Sequence, residues 1–147
     1  METADAAAHV RPGLDRGVAL ILVGDVDRRV VSALSLAARL PELEPKAVHV
    51  TVDARDSQEV ANAWMELDLA WVPLHIEEQH ADETFLECVQ RVVEGEAAQR
   101  SRVLVIVPEV DLDRWWQTLL HRSTGRRIAR RLHGHSRVST IVLPYPL

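Results

Sequence analysis

Short runs of apolar residues recur along the chain and alternate with longer stretches that have helical periodicity. Within each run the residues are nearly all apolar instead of alternating with polar ones. This is typical of strands in a parallel sheet that is covered on both faces. We predict five strands on this basis, over residues 18–23, 46–52, 72–76, 102–107 and 137–143.

Three of the intervening stretches predict helices that cover the sheet. Asp27 is suited to cap the first, whose apolar positions repeat at intervals of three and four before Pro41 ends it. Apolar positions at the same spacing mark a second helix over residues 60–67. The third begins at Phe85 and is expected to end near Gly95.

The segment between the fourth and fifth strands is long enough for two helices that are separated near Ser123. The first has a wide apolar stripe, formed by Leu112, Trp115, Trp116, Leu119 and Leu120. Arginines occupy most of the second, whose apolar stripe is limited to Ile128, Ala129 and Leu132. We therefore expect much of this second helix to lie outside the core.

These elements predict an α/β fold of three layers, in which a doubly wound, parallel, five-stranded sheet of the flavodoxin-like class has helices on both faces. The expected strand order is 3-2-1-4-5. We expect residues 1–16 to form a flexible lead-in and residues 17–147 to form one domain. Ligands of this class bind at the carboxyl edge, where the order reverses. That edge would gather Gly24, Asp25, Asp53, Pro108, Glu109 and Ser123.

Cysteine content and hydropathy narrow the class of protein. Cys88 is the single cysteine, so no disulfide can form within the chain, and we expect it in the core. No apolar run approaches the roughly 20 residues of a membrane-spanning helix, and the N-terminus lacks the pattern of a signal peptide. We therefore expect a cytoplasmic location.

Acidic and basic residues are unevenly distributed. Residues 1–113 hold all 22 acidic residues and 10 of the 17 basic ones, whereas residues 114–147 hold seven arginines and no acid. The net charge of −5 repels nucleic-acid backbones at long range, so we expect no specific nucleic-acid partner. The arginine-rich helix favours an anionic nucleotide or an anionic membrane surface, with a solvated surface as the alternative.

Motifs of common catalytic chemistry are missing. Neither G-x-G-x-x-G nor G-x-x-x-x-G-K-[ST] follows a predicted strand, which argues against a Rossmann dehydrogenase and a P-loop NTPase. The seven histidines are not spaced as metal ligands, and we expect them in solvated loops with no metal bound. Asp25 and Glu109 could act as an acid and base pair, but no nucleophile joins them, so we assign no catalytic residue.

The residues of the carboxyl edge favour a small anionic ligand. Gly24 allows close approach to the backbone, Ser123 and Thr124 carry hydroxyls, and Arg126 and Arg127 lie in the first turn of a helix. A carboxylate suits a ribose hydroxyl or an adenine amine better than a phosphate. The candidate ligand site also includes the carboxylates of Asp25, Asp53 and Glu109.

Three motifs in the last part of the chain carry a resemblance: V-P-E at 107–109, R-W-W-x-x-L-L-H at 114–121 and V-L-P-Y-P-L at 142–147. They are similar to motifs in the C-terminal cytoplasmic domain of bacterial APC-superfamily permeases of the amino acid and polyamine type. That domain has the universal stress protein fold, and the resemblance covers about residues 17–147. The chain departs from it at 122–125, where the family usually has Asn-Gln-Thr-Ala, and at Pro146, where the family has His.

The resemblance also implies a class of ligand. Universal stress proteins that bind ATP have G-x2-G-x9-G-[ST] after the fourth strand. At those positions this chain keeps the spacing but not the glycines, with Glu109, Leu112, Arg122 and Ser123. The implied ligand is an adenine nucleotide, or cyclic di-AMP, which some potassium-importing relatives sense with this kind of domain.

Together the residues and the resemblance favour a non-catalytic cytosolic domain, regulatory or nucleotide-sensing, that is associated with an APC-type transporter at the inner face of the membrane. Two alternatives stay open: a free-standing universal stress type protein that binds an adenine nucleotide, and a small enzyme that acts on a phosphoester. The fifth strand is an apolar candidate for a sheet edge, so we also expect a homodimer.

Overall fold

The computed structural model describes residues 17–51, 53–108 and 124–143 of the 147-residue chain. These residues form one sheet in which every neighbouring pair of strands is parallel, in the order β3-β2-β1-β4-β5. The predicted α/β class and strand order are confirmed. The strands are β1 (Gly17–Leu22), β2 (Leu43–Thr51), β3 (Leu74–Glu78), β4 (Val103–Pro108) and β5 (Val138–Leu143).

All five predicted strands are present, and the largest shift in their bounds is at the start of β2. This strand begins at Leu43 instead of residue 46 and so includes Pro45. Proline is rare inside a sheet because it has no N–H to donate. It is tolerated here because β3 first pairs opposite Ala47, which leaves the beginning of β2 with a partner strand on one side only.

Helices cover both faces of the described sheet, and most begin with a side-chain cap. The predicted cap Asp27 accepts a hydrogen bond from the Arg29 N–H at 2.9 Å. Asp53 caps the second helix, and Thr84 and Glu87 form a capping box at the third. These caps satisfy N–H groups that have no partner within the helix. The helices are α1 (Arg28–Ala38), α2 (Ala54–Glu66), α3 (Phe85–Gln99) and α4 (Thr124–Leu132).

The core consists of two apolar layers, one on each face of the sheet. Phe85 of α3 and Ile128 of α4 are buried in one layer, and Leu34 of α1 and Trp64 of α2 are buried in the other. β1 lies between the layers, and all six of its residues are buried. Burial on both faces explains why the strand sequences are apolar throughout.

The arginine-rich helix has the narrow buried stripe that its sequence predicts. Ile128 and Leu132 of α4 are buried, whereas Arg130 and Arg131 are exposed. The predicted helix with Trp115 and Trp116 lies outside the described residues, as does the predicted lead-in over residues 1–16. Among the residues that are described, no helix has the length and hydropathy needed to span a membrane.

The end of α3 differs from the prediction. The helix does not end near Gly95 but continues to Gln99. Its last turn is held by contacts with β2, because Glu96 accepts a hydrogen bond from Lys46 Nζ at 2.9 Å and Arg100 pairs with Glu44. These tertiary contacts outweigh the low helix propensity of glycine.

Gly95→Ala is expected to stabilise the protein. Apart from the helix's own backbone, no atom lies within 4 Å of the position that a Cβ would occupy at Gly95. Alanine loses less backbone entropy on folding, so the free energy of unfolding should rise by roughly 0.5–1 kcal/mol in urea denaturation. Gly17→Ala is the matched control and should destabilise, because a Cβ there would collide with the side chains of Leu43 and Arg102. Destabilisation at Gly95 would contradict the prediction.

Candidate ligand site at the carboxyl edge of the sheet

The strand order reverses at β1, whose neighbours are β2 and β4. The helices that follow β1 and β4 in the described chain lie on opposite faces of the sheet. In doubly wound folds this divergence opens a crevice beyond the carboxyl ends of the strands, and ligands bind there. The candidate ligand site predicted from the sequence is centred on this position.

The connection from β1 to α1 is short and lies at the carboxyl edge, where the strand order reverses. The Val23 N–H donates to the Val48 carbonyl at 2.8 Å, which extends the pairing of the two strands beyond β1. Gly24 is buried and Asp25 is half-buried, two residues before the cap Asp27. The N-terminus of α1 therefore begins at the crevice.

Asp53 has a structural role in addition to its predicted place in the site. Its carboxylate accepts a hydrogen bond from the Asp56 N–H at 2.8 Å, and its carbonyl accepts hydrogen bonds from the hydroxyls of Thr51 and Ser57. These bonds fix the turn from β2 into α2. Gly24, Asp25 and Asp53 thus lie on the adjacent connections that follow β1 and β2.

The remaining predicted residues belong to the segment that precedes β5. Thr124, Arg126 and Arg127 lie in the first turns of α4. α4 begins at the carboxyl edge because it leads to a strand parallel to β4, and Arg127 is half-buried. Glu109 and Ser123 lie outside the described residues.

A buried histidine is the feature of this edge that sequence reasoning missed. His49 was expected in a solvated loop, but it lies in β2 and is 0% exposed. Its Nδ1 lies 2.8 Å from the Val23 carbonyl oxygen, which can only accept, so Nδ1 donates. Its Nε2 lies 3.2 Å from Asp56 Oδ2. The signal for burial was its position inside a predicted strand with two covered faces.

The His49 ring joins the loop after β1 to the first turn of α2. Partial burial raises the pKa of Asp56 above its ordinary value of 3.8, and the nearby carboxylates of Asp25 and Asp53 raise it further, against the opposing effect of His49. The raised pKa means that Asp56 holds its proton more readily than an ordinary aspartate does. The negative charges of Asp25 and Asp53 make Asp56 hold its proton more tightly.

The carboxyl end of β3 is occupied by a network of ion pairs. Arg91 donates to both carboxylate oxygens of Glu83 and to Glu77 Oε2, at 2.8–3.0 Å. The bonds from Arg91 lower the pKa of Glu83 to about 2. Beside them, burial raises the pKa of the Cys88 thiol to about 11, so Cys88 is the unreactive core residue that its sequence position predicts. Arg91 is thus engaged within the fold rather than directed to a ligand.

The comparison with protein families defines the class of protein to which this fold and edge belong. Residues 15–145 match the family model of the KimA potassium transporter C-terminal domain. The chain belongs to this family, and its predicted relationship to a transporter C-terminal domain is confirmed. No match was found among curated proteins. The universal stress protein-like assignment stays a prediction.

Asp56→Asn is expected to change how stability depends on pH. A carboxyl whose pKa is raised on folding contributes stability below its ordinary pKa, and that contribution is lost as the pH rises through the raised value. Relative to the wild type, the asparagine variant should therefore become more stable as the pH rises from about 4 to 7. Urea denaturation at several pH values measures the difference. Asp82→Asn, at an exposed position, is the control, and equal pH profiles for the wild type and Asp56→Asn would contradict the assignment.

Proposed function

We propose that this chain is a non-catalytic, cytosolic regulatory domain of a potassium transporter, and that it senses an adenine nucleotide at the carboxyl edge of its sheet. The family match over residues 15–145 carries the transporter part of the proposal. That match spans the whole described sheet, from β1 to β5. The regulatory role follows from what a ligand at the crevice would do to the elements around it.

The geometry of the crevice supports a nucleotide with separate recognition of sugar or base and of phosphate. Gly24 has no side chain to block approach, and in this proposal the carboxylate of the half-buried Asp25 accepts a hydrogen bond from a ribose hydroxyl or an adenine amine. The phosphates would meet the N–H groups at the start of α4 together with Arg126 and Arg127. Cyclic di-AMP combines two adenines with two phosphodiesters, so it presents both kinds of group.

A ligand at this position would be coupled to the stability of the edge. Asp25 lies within electrostatic range of Asp56, and Asp56 contacts His49, which holds the carbonyl of Val23. Neutralising or engaging Asp25 would therefore change the proton affinity of Asp56 and the contacts that join β1 to α2. This chain of contacts is how occupancy would reach the rest of the domain.

A thermal shift measurement tests the nucleotide. ATP, AMP, cyclic AMP and cyclic di-AMP are each added to the protein. A ligand that binds the folded state, at one hundred times its dissociation constant, should add about 2.7 kcal/mol and raise the melting temperature by roughly 5–10 °C. Arg126→Gln combined with Arg127→Gln should abolish the shift, because it removes two positive charges beside the phosphates.

The matched control is Arg130→Gln combined with Arg131→Gln. It changes the net charge by the same amount on the same helix, but at the last turn. The control should retain the shift. Absence of a shift with all four nucleotides, or an equal loss in both double variants, would contradict the nucleotide site.

We also propose that the domain forms a homodimer through β5. β5 is an edge strand of the described sheet, and Ile141 on it is an exposed apolar residue. A strand that has no partner on one side among the described residues tends to pair with another chain. Light scattering should give the mass of a dimer at about 100 µM, well above ordinary dimer dissociation constants. Ile141→Lys should shift the mass toward the monomer, and a wild-type monomer at this concentration would contradict the proposal.

A further inference from the structure

The edge opposite the candidate ligand site, the amino edge, is where the chain enters the sheet. β1 begins there at Gly17 and is the central strand, with two strands on one side and two on the other. In the transporters that give the family its name the domain is C-terminal, so the membrane part precedes it along the chain. The amino edge is therefore the edge at which such a domain is tethered.

Arginines lie on one side of this entry point. The Arg102 carbonyl accepts a hydrogen bond from the Val18 N–H at 3.0 Å, and the Arg137 carbonyl accepts one from the Val103 N–H at 2.8 Å. Both arginines thus stand directly before the strands β4 and β5. Arg102 is next to the start of β1, and Arg137 is one strand further away. Their side chains are exposed, as is that of Arg130 in the last turn of α4. Within the described residues, no salt bridge joins an acid to Arg102, Arg130 or Arg137.

Apolar side chains lie on the other side of the entry point. Met65 in the last turn of α2, and Leu67 and Trp71 in the loop before β3, are 68%, 52% and 55% exposed. They account for most of the large exposed apolar residues in the described chain. A clustered set of this kind marks an interaction surface, whereas isolated exposed apolar residues do not.

The loop that carries these apolar residues is ordered by hydrogen bonds. Asp68 has a left-handed backbone with φ of 56°, and the Leu69 N–H donates to the Trp64 carbonyl at 3.1 Å, which closes the end of α2. The Trp64 indole N–H donates to the Val72 carbonyl at 3.0 Å. The exposed Trp71 therefore projects from a turn whose conformation is fixed on both sides.

We propose that the amino edge docks on an anionic lipid surface, with Met65, Leu67 and Trp71 entering the interface and Arg102, Arg130 and Arg137 meeting the headgroups. The proposal rests on the proposed function, because it is the transporter that places the domain beside a membrane. Tryptophan is favoured at membrane–water interfaces, and each arginine near an anionic surface adds attraction. Neither the apolar nor the electrostatic contribution is strong alone, and stable peripheral binding to a membrane typically needs two such contributions.

The spacing of the two clusters favours a membrane over other polyanions. Five strands at about 4.8 Å place the apolar cluster beside β3 and Arg137 beside β5 on the order of 20 Å apart, on either side of the entry point. A single-stranded nucleic acid favours aromatic and basic side chains that are interleaved, so that bases stack between phosphate contacts. A membrane is wide and flat, with anionic headgroups at its surface and an apolar interior beneath them. It can therefore contact both clusters at this separation.

Vesicle flotation with the full 147-residue chain tests this surface. Vesicles contain phosphatidylcholine alone or with about 40% phosphatidylglycerol, in about 50 mM salt. Binding should increase with phosphatidylglycerol. Arg102→Gln combined with Arg137→Gln should lower the partition coefficient about 25-fold, since each arginine contributes about fivefold. Trp71→Ser should lower it about tenfold.

The matched control variants carry the same types of substitution on other surfaces of the protein. Arg28→Gln combined with Arg55→Gln removes two exposed arginines at the carboxyl edge, and Val31→Ser removes an exposed apolar residue from α1. Both should bind within about twofold of the wild type, because the opposite edge lies beyond the screening length. Thermal melting of each variant checks that it is folded. If Arg102→Gln disturbs the packing at Gly17, Arg130→Gln combined with Arg137→Gln is used in place of the pair that contains Arg102→Gln.

Several results would overturn the proposal. The first is an absence of binding to the anionic vesicles. The second is an equal loss of vesicle binding in the amino-edge and carboxyl-edge arginine variants, and the third is binding to heparin without binding to vesicles. The last would assign the arginines to a different polyanion. The vesicle experiment contains no nucleotide. A negative result would therefore contradict the lipid-binding surface but not the nucleotide site, which the thermal shift experiment tests separately.

Discussion

Burial of β1 on both faces and along both edges is the constraint on which the rest of the structure depends. β1 pairs with β2 and with β4, and its side chains divide between the two apolar layers. A strand enclosed in this way has to be apolar at every position, and its N–H and C=O groups have to be satisfied by parallel neighbours. Both helix layers are fixed in place by packing against it.

Polar interactions in this fold are concentrated where the apolar packing ends. At the start of β2, where β3 has not yet begun, Lys46 and Glu44 pair with Glu96 and Arg100 at the end of α3. At the other end of β2, His49 bridges Val23 and Asp56. Each set of contacts joins a strand end to a helix end. One set lies at the amino edge of the sheet and the other at the carboxyl edge.

The two edges differ in chemistry in a way that suits a domain tethered to a transporter. The carboxyl edge has the N-termini of α1 and α2 and the carboxylate of Asp56, which lies beside the buried His49. The amino edge has exposed apolar and basic side chains around the point where the chain enters. The two edges are separated by the length of a strand, roughly 20 Å.

The local sequence determined most of the architecture. Apolar runs located five strands to within three residues, and Asp27 located the start of α1, because burial on two faces and capping of N–H groups are local requirements. Position along strands also determined which predicted site residues share an edge. The resemblance over about residues 17–147 indicated a transporter C-terminal domain, and the family match over residues 15–145 supports that relationship.

Tertiary structure alone decided the features that depend on partners distant in the chain. α3 passes through Gly95 because Lys46, 50 residues earlier in the chain, pairs with Glu96. Pro45 is accepted because β3 starts late. His49 became a buried bridge because Val23 and Asp56 converge on it from two other elements. Strand order placed Trp71, before β3, and Arg137, before β5, on opposite sides of β1. Pairing and burial between distant segments have no local signal, because their energy exists only once the chain has brought the partners together.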